Sequence, residues 1–229
     1  MSTLHHIVGA IAVYKLHHEF QLILREAKNG MISPVSYILS KTILILPIMI
    51  VFSLLAIAIP GFILHGYSGF GSGLILLALY FFVMESIAEC TSVWFGGFNV
   101  MIALVAYGCI WGISLLFSGI VLPFDEMFMP FTILYYVLPY QNFLRGFIHA
   151  TMANVEFEPC NVFPTGTPCV DSTNGEAVLN RLGDSFPLIT ANNTIGTDMA
   201  TLFIMGVAYK VIYAVGVIYR ANRSSRIQA

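Results

Sequence analysis

Three ionisable residues lie inside otherwise apolar stretches of this sequence, and their types and spacing are suited to ion pairing. Glu85 and Glu89 are four positions apart, so a helix would present both carboxylates on one face. Lys210 lies within the last apolar stretch of the chain. A charge near the centre of a bilayer costs at least about 3 kcal/mol, so such groups face protein or a water-filled cavity. The pattern predicts a buried pair of Lys210 with Glu85 or Glu89.

This charge cluster has two interpretations. It is either a site that senses cations or protons, or a clamp that joins two helices, and the clamp is the preferred interpretation. Two histidine pairs, His5-His6 and His17-His18, lack the repeated His boxes that would surround a metal, so we predict interfacial histidines and no metal site. The residues contain no GxxxxGK[ST] phosphate loop and no Ser-His-Asp arrangement. We therefore expect no enzyme activity from these residues by themselves and no bound cofactor.

The composition indicates the environment in which these charges lie. Of the 229 residues, 58% are hydrophobic and only 10% are charged, with a mean hydropathy of +0.83. Soluble domains are about a quarter charged, so this chain cannot cover a water-facing surface. The net charge is -2, and without a basic excess we expect no nucleic-acid partner. The sequence predicts an all-α integral membrane protein.

Charge-poor runs of about 20 residues define the elements, because that length of helix crosses a bilayer. Four such spans are predicted, at residues 42–64, 74–95, 98–122 and 197–219. The other segments are an apolar helix end, a polar surface segment, a long loop with short interfacial helices, and a basic tail, at residues 1–14, 15–41, 123–196 and 220–229. Gly108 and Gly112 in the third span have the GxxxG spacing that lets helices approach closely.

Lysine and arginine bias sets the orientation. Residues 15–41 and the tail are basic, whereas residues 123–196 are acidic, so the first two are predicted to be cytoplasmic and the third exofacial. In an oxidising exofacial loop Cys160 and Cys169 are predicted to form a disulfide, and pairing with another chain is the alternative. Asn192 begins a glycosylation sequon close to the last span.

Several segments, in order, resemble G-type ABC transporters of the white and pleiotropic-drug-resistance branch, whose membrane domains are of the ABC-2 type. The resemblance covers about residues 7 to 221. Its residues in the first cytoplasmic loop and the next helix are Glu19, Phe20, Arg25, Glu26, Gly30, Ser36, Tyr37, Lys41, Leu46 and Pro47. Those further on are Phe117, Ser118, Gly119, Pro130, Tyr135, Pro139, Tyr140, Cys160, Cys169, Gly175, Glu176, Leu179, Tyr209, Lys210 and Tyr213.

The resemblance implies a polytopic helical bundle of the ABC-2 type, with an exofacial loop and re-entrant short helices. Six helices form such a domain, and this chain would hold the end of the second and then the third to sixth. Residues 20–30 would form the coupling helix, with Arg25 and Glu26 as its polar contacts to the ATPase domain. The fifth family helix would line the substrate cavity, where the candidates are Asn99, Met101, Val105 and Phe117.

The function implied is ATP-driven export of lipids, sterols or amphipathic compounds by alternating access. ATP and Mg would bind an ABC nucleotide-binding domain that these residues do not include. The expected partners are that domain, membrane lipid and a second transmembrane domain. The plasma membrane is the expected location, with an internal membrane as the alternative. The competing functions are a non-transporting membrane protein that associates with a complete transporter, and an intramembrane enzyme, which would need a catalytic constellation.

Overall fold

The computed structural model describes residues 2–29, 31–63, 69–96, 99–122, 124, 127–153, 155, 174–189 and 192–226. Within these residues the fold consists of eight α-helices and no β-strand. They are α1 (Ser2–Lys28), α2 (Pro34–Ile63), α3 (Phe70–Trp94), α4 (Val100–Leu116), α5 (Phe131–Val137), α6 (Tyr140–Met152), α7 (Gly175–Ser185) and α8 (Ile195–Arg226). A bilayer offers the backbone no water, and helices satisfy their own backbone groups. The predicted all-α membrane fold is confirmed.

In the part of the chain that the structure describes, three helices are long and apolar enough to cross a membrane. These segments are Pro34–Ala58 of α2, Phe70–Trp94 of α3 and Ile195–Ala221 of α8, with hydropathies of 2.4, 1.8 and 1.9. The region predicted as the third span, residues 98–122, instead contains α4, a shorter apolar helix of 17 residues. At 1.5 Å per residue α4 is about 25 Å long, somewhat less than the hydrocarbon thickness of a bilayer.

Helix α4 ends early because of the residues that follow it. Gly119 has φ +84°, a left-handed conformation that glycine adopts at little cost. The Ser118 amide donates to the Leu115 carbonyl, and the Ser118 hydroxyl accepts from the Ile120 amide. A Cβ at Gly119 would lie 3.2 Å from the Tyr135 ring, so both conformation and space favour glycine there.

Helix α1 passes without a break through residues 14 and 15, where the hydropathy pattern predicts a boundary between an apolar helix end and a polar segment. One face of α1 is buried, at Val13, Leu16, Phe20 and Ile23. These residues follow the spacing of an amphipathic helix, so the polar residues between them occupy its other face. Residues 15–41 therefore belong to two helices, and α2 begins at Pro34, where a proline suits the first helical turn.

The chain forms two compact units. Unit 1 comprises Met1–Ser53, Ala78–Ile113 and Leu202–Ala229, and unit 2 comprises Leu54–Leu77 and Ser114–Thr201. In unit 1, an apolar cluster joins α1, α3 and α8 through Phe20, Val93, Tyr213 and Val217. In unit 2, a second cluster contains Ala153, Leu179 and Ile189. Asn174 caps α7 there, since its side chain accepts from the Glu176 amide at 3.2 Å.

Glycines allow close helix contact on α8 rather than at the position predicted on α4. A Cβ added at Gly206 would lie 2.5 Å from the Phe82 ring, and one at Gly216 would lie 2.8 Å from the Val93 side chain. A Cβ at Gly112 would meet nothing within 4 Å. Within the described residues, therefore, the GxxxG spacing brings no neighbouring helix close to Gly112.

This difference predicts opposite effects for two conservative substitutions. Gly206→Ala is expected to lower the free energy of unfolding by about 1–3 kcal/mol, since the added methyl overpacks the contact with Phe82. Gly112→Ala is the matched control, and alanine's helix propensity should raise stability there by about 0.5–1 kcal/mol. Thermal unfolding of the purified chain in detergent measures both. Equal effects of the two changes would contradict the close contact at Gly206.

Candidate functional site

The three charges singled out in the apolar stretches lie together in unit 1. Glu85 and Glu89 project from one face of α3, and Lys210 projects from α8. Lys210 Nζ donates to Glu85 Oε2 at 2.6 Å and to Glu89 Oε2 at 2.5 Å. All three residues are buried, with exposed fractions of 5%, 1% and 8% respectively. The structure therefore joins Lys210 to both carboxylates, where the sequence offered one or the other.

The ion pairing continues from this cluster toward the surface of unit 1. Lys41 of α2 lies 3.6 Å from Glu89 Oε1, the other oxygen of the same carboxylate. Lys41 also donates to Glu19 Oε2 of α1 at 3.0 Å. Glu19 in turn lies 3.9 Å from Lys15, an exposed residue one turn earlier in α1. We call these six residues, Lys15, Glu19, Lys41, Glu89, Lys210 and Glu85, the charge chain.

The sign of the charge alternates at each step of the charge chain. Three ammonium groups and three carboxylates are present, so each buried charge has an opposite neighbour. Such pairing offsets the large desolvation cost of burying ions, which no single charge could offset alone. The charge chain therefore fastens α1, α2, α3 and α8 to one another by polar contacts within unit 1.

Neighbouring side chains determine which end of the charge chain is accessible from a cavity and which end is enclosed. The Phe82 ring lies 5.7 Å from Lys210 Nζ, and Cys90 Sγ donates to the Tyr209 carbonyl at 3.0 Å, so these residues pack around the buried end. A cavity of about 300 Å³ reaches only the other end, at Lys15, Glu19 and Lys41. The Tyr37 hydroxyl lines the same cavity and donates to Glu19 at 3.3 Å.

This geometry suits a clamp better than an ion-sensing site. Each carboxylate of the charge chain already has an ammonium partner. Glu85 Oε1 is buried without a hydrogen-bond partner among the described residues, and the cavity lining does not include it. In the described part of the chain, no group of three His, Cys, Asp or Glu side chains could hold a metal ion.

A second ion pair, between a half-buried arginine and a buried aspartate, lies in unit 2 and was not predicted as a site. Arg145 of α6 donates to both carboxylate oxygens of Asp198, from Nε at 3.1 and 3.2 Å and from a terminal nitrogen to Oδ1. Asp198 is fully buried and also accepts from the Thr194 hydroxyl at 3.0 Å. No sequence pattern indicates this pair, because Arg145 and Asp198 lie in different helices that only the tertiary fold brings together.

Titratable groups outside the three long apolar helices also have shifted pKa values. The hydrogen bond to Asp198 raises the pKa of the Arg145 guanidinium, which therefore stays charged. Burial raises the pKa of the Tyr135 phenol in the same unit. In α1, burial and the neighbouring His18 lower the pKa of His17, so His17 favours its neutral form at pH 7.

Residues 1–152, about two thirds of the chain, match the family of ABC-2 type transporters. The match covers α1 to α6 and includes the charge chain except for Lys210. The chain belongs to the ABC-2 type transporter family. No curated protein sequence matches it significantly.

Membership of this family assigns the chain a transport-related role in a membrane. An ABC-2 type membrane domain implies association with an ABC nucleotide-binding domain, and by itself it is not catalytic. The charge chain is therefore a set of contacts inside a transport component rather than a catalytic centre. Its residues lie on four helices, so it holds those helices together within unit 1.

The predicted coupling residues of this ABC-2 type chain lie at the end of α1. Arg25 and Glu26 are both exposed, one or two turns beyond Glu19 of the charge chain. The opposite face of α1 is held by the apolar cluster around Phe20. Arg25 and Glu26 are thus accessible to a partner on a helix that is anchored in unit 1.

The predicted substrate-cavity residues do not line the cavity at Lys15, Glu19 and Lys41. Met101 and Val105 are each 64% exposed on α4, whose buried face includes Ala103 and Tyr107. Asn99 is exposed and accepts from the Met101 amide at 3.1 Å, which is the contact of a helix N-cap. Each of these residues faces outward from the chain, so a role with substrate stays a prediction.

The last predicted residues to be located are Phe117, Asn192 and the two loop cysteines. Phe117 is half-buried and stacks on Phe131, with ring centroids 5.2 Å apart. Asn192 is exposed, and its glycosylation stays a prediction. Cys160 and Cys169 lie outside the described residues, so their predicted disulfide also stays a prediction.

Proposed function

We propose that this chain is the membrane-domain portion of a G-type ABC transporter that exports lipids, sterols or other amphipathic compounds. Export proceeds by alternating access, driven by ATP and Mg at a nucleotide-binding domain, with a second transmembrane domain as partner. The plasma membrane is its proposed location. The observation that carries the proposal is the charge chain, which links the helix bearing Arg25 and Glu26 to three other helices of an ABC-2 type domain.

The proposed mechanism starts at the exposed end of α1. Closure of the ATPase domains moves Arg25 and Glu26, and α1 transmits this movement as a continuous helix. Glu19 and Lys41 then carry it to α2, and Glu89 and Lys210 carry it to α3 and α8. Ion pairs can transmit the movement between helices because breaking one in an apolar interior leaves an unpaired buried charge, which is strongly unfavourable in free energy.

The proposed substrate class is inferred from the exposed residues of α4. Met101, Val105 and the neighbouring exposed residues are apolar, and a second transmembrane domain facing them would enclose an apolar path. Lipids and amphipathic compounds partition into such a path, whereas ions and sugars do not. Asn99 at the start of α4 would supply one polar contact.

The function is tested with the protein purified from its native membranes in mild detergent. We expect an ABC nucleotide-binding domain to be present, on the same polypeptide or bound to it, and to be identified by mass spectrometry. In proteoliposomes the preparation should move a fluorescent phospholipid when ATP and Mg are supplied. A preparation without a nucleotide-binding domain, or one whose lipid movement is independent of ATP, would contradict the proposal.

The coupling role of α1 predicts a selective loss of transport. Arg25→Glu should lower ATP-dependent lipid movement severalfold, because it reverses the charge offered to the ATPase domain. Its thermal stability should be unchanged, since Arg25 is exposed. Arg181→Glu is the matched control, because Arg181 is an exposed arginine on α7, in unit 2. Equal transport by the two variants would remove Arg25 from the coupling contact.

A further inference from the structure

Unit 2 contains a cavity of about 330 Å³ that the proposed transport mechanism does not use. Three aromatic side chains form part of its wall, those of Phe124, Tyr135 and Tyr136. The Phe124 ring centroid lies 5.0 Å from that of Tyr135 and 5.9 Å from that of Tyr136, so the three rings form one apolar surface. Helix α6 supplies three polar side chains to the lining, those of Gln141, Asn142 and Arg145.

Two amide side chains of α6 line this cavity and are almost fully buried. Gln141 and Asn142 are each 4% exposed. Gln141 Oε1 and Asn142 Nδ2 have no hydrogen-bond partner among the described residues. Buried polar atoms are nearly always paired, so an unpaired acceptor and an unpaired donor beside a cavity indicate a missing partner. One atom can accept a hydrogen bond and the other can donate one.

The charge of the cavity wall favours an uncharged ligand. Arg145 contributes a guanidinium to the lining, but its Nε and one terminal nitrogen are bonded to Asp198. The same terminal nitrogen donates to Asn142 Oδ1 at 3.5 Å, which leaves the Asn142 amide group as the donor. Asp198 neutralises Arg145 and is itself fully buried. The cavity wall therefore has no excess charge that could offset the free-energy cost of desolvating an ionic ligand.

We propose that this cavity binds a neutral, ring-bearing alcohol or phenol. Its hydroxyl accepts from Asn142 Nδ2 and donates to Gln141 Oε1, while its ring lies against Phe124, Tyr135 and Tyr136. The volume is at the lower end of the range for small-molecule pockets, so it suits a molecule of one or two rings rather than a whole phospholipid. This inference does not rest on transport, because it concerns binding alone.

The test uses a phenol that carries a photoreactive diazirine on the full chain in lipid nanodiscs. Mass spectrometry of the irradiated protein should find adducts on α5 or α6, and 4-propylphenol should suppress them. The matched competitor 4-propylanisole has the same ring and alkyl chain but no hydroxyl hydrogen. We expect it to compete about tenfold less well, because a site built to bond a hydroxyl rejects an analogue that lacks it. Equal competition by the two compounds would overturn the proposal.

Two variants separate binding from folding. Gln141→Leu and Asn142→Leu should each weaken suppression by 4-propylphenol about tenfold. Gln141→Leu should melt at or above the wild-type temperature, because it removes an unpaired buried polar atom. Asn142→Leu also loses the 3.5 Å contact with Arg145, so it should melt no higher than Gln141→Leu. Gln21→Leu is the control, since Gln21 is an exposed glutamine on α1 in unit 1. Gln141→Leu protein that melts normally and is protected like the wild type would overturn the assignment, as would adducts confined to lipid-facing residues of unit 1.

Discussion

Replacing Lys210 by methionine is expected to lower the free energy of unfolding by about 3–5 kcal/mol. The change removes the ammonium that lies 2.6 Å from Glu85 and 2.5 Å from Glu89. Among the described residues, Glu85 would then be buried without a cation within pairing distance, whereas Glu89 would keep only Lys41 at 3.6 Å. Methionine fills a similar volume, so the loss reports the charge rather than a cavity.

Lys15→Met is the matched control for Lys210→Met. Lys15 belongs to the same charge chain, but its side chain is 76% exposed and lies 3.9 Å from Glu19. An exposed pair contributes about 0–1 kcal/mol, so this variant should unfold almost like the wild type. Denaturant titration of the detergent-solubilised chain, followed by tryptophan fluorescence, measures both. Similar losses in the two variants would mean that burial does not determine the effect.

Substitution of the carboxylates completes the test of the charge chain. Glu89→Gln should cost less than Lys210→Met, because Lys210 keeps Glu85 as a partner. Combining Lys210→Met with Glu85→Gln and Glu89→Gln should recover part of the stability, since no unpaired carboxylate is then buried beside Met at 210. Additive losses in the combined variant would contradict direct pairing.

Arg145→Met is the second substitution with a large expected effect, a loss of about 3 kcal/mol. Asp198 is fully buried and would keep only the Thr194 hydroxyl, at 3.0 Å, among the side-chain donors described. Asp198→Asn should cost less, because the Arg145 side chain is 28% exposed and retains contact with solvent. We therefore expect replacement of Arg145 to lower the free energy of unfolding more than replacement of Asp198.

Thermal unfolding in detergent measures this asymmetry. Arg181→Met is the control, because Arg181 is an exposed arginine of the same unit and its replacement should leave the melting temperature unchanged. The double variant of Arg145→Met with Asp198→Asn should be more stable than Arg145→Met alone. If Asp198→Asn proved the more damaging of the two single changes, the burial of Asp198 would not be the cause.

The amino-acid sequence by itself determined the membrane class and most of the helices. Long apolar runs can satisfy their backbone only as helices in a bilayer, so α2, α3 and α8 could be predicted from composition alone. The same reasoning identified Glu85, Glu89 and Lys210, because an ionisable residue in such a run is costly wherever it lies. The order of the family motifs indicated the ABC-2 type family, which the match over residues 1–152 established.

The tertiary structure decided which charges meet. Lys41 could be recognised as a motif residue, but its contacts with Glu19 and Glu89 depend on how α1, α2 and α3 pack. Arg145 and Asp198 are 53 positions apart, and hydropathy carries no signal for their pairing. Helical periodicity determines which residues share a face, whereas partners on other helices are determined by packing between distant segments. For that reason the sequence identified buried charges that require partners, and the folded chain determined which partners they have.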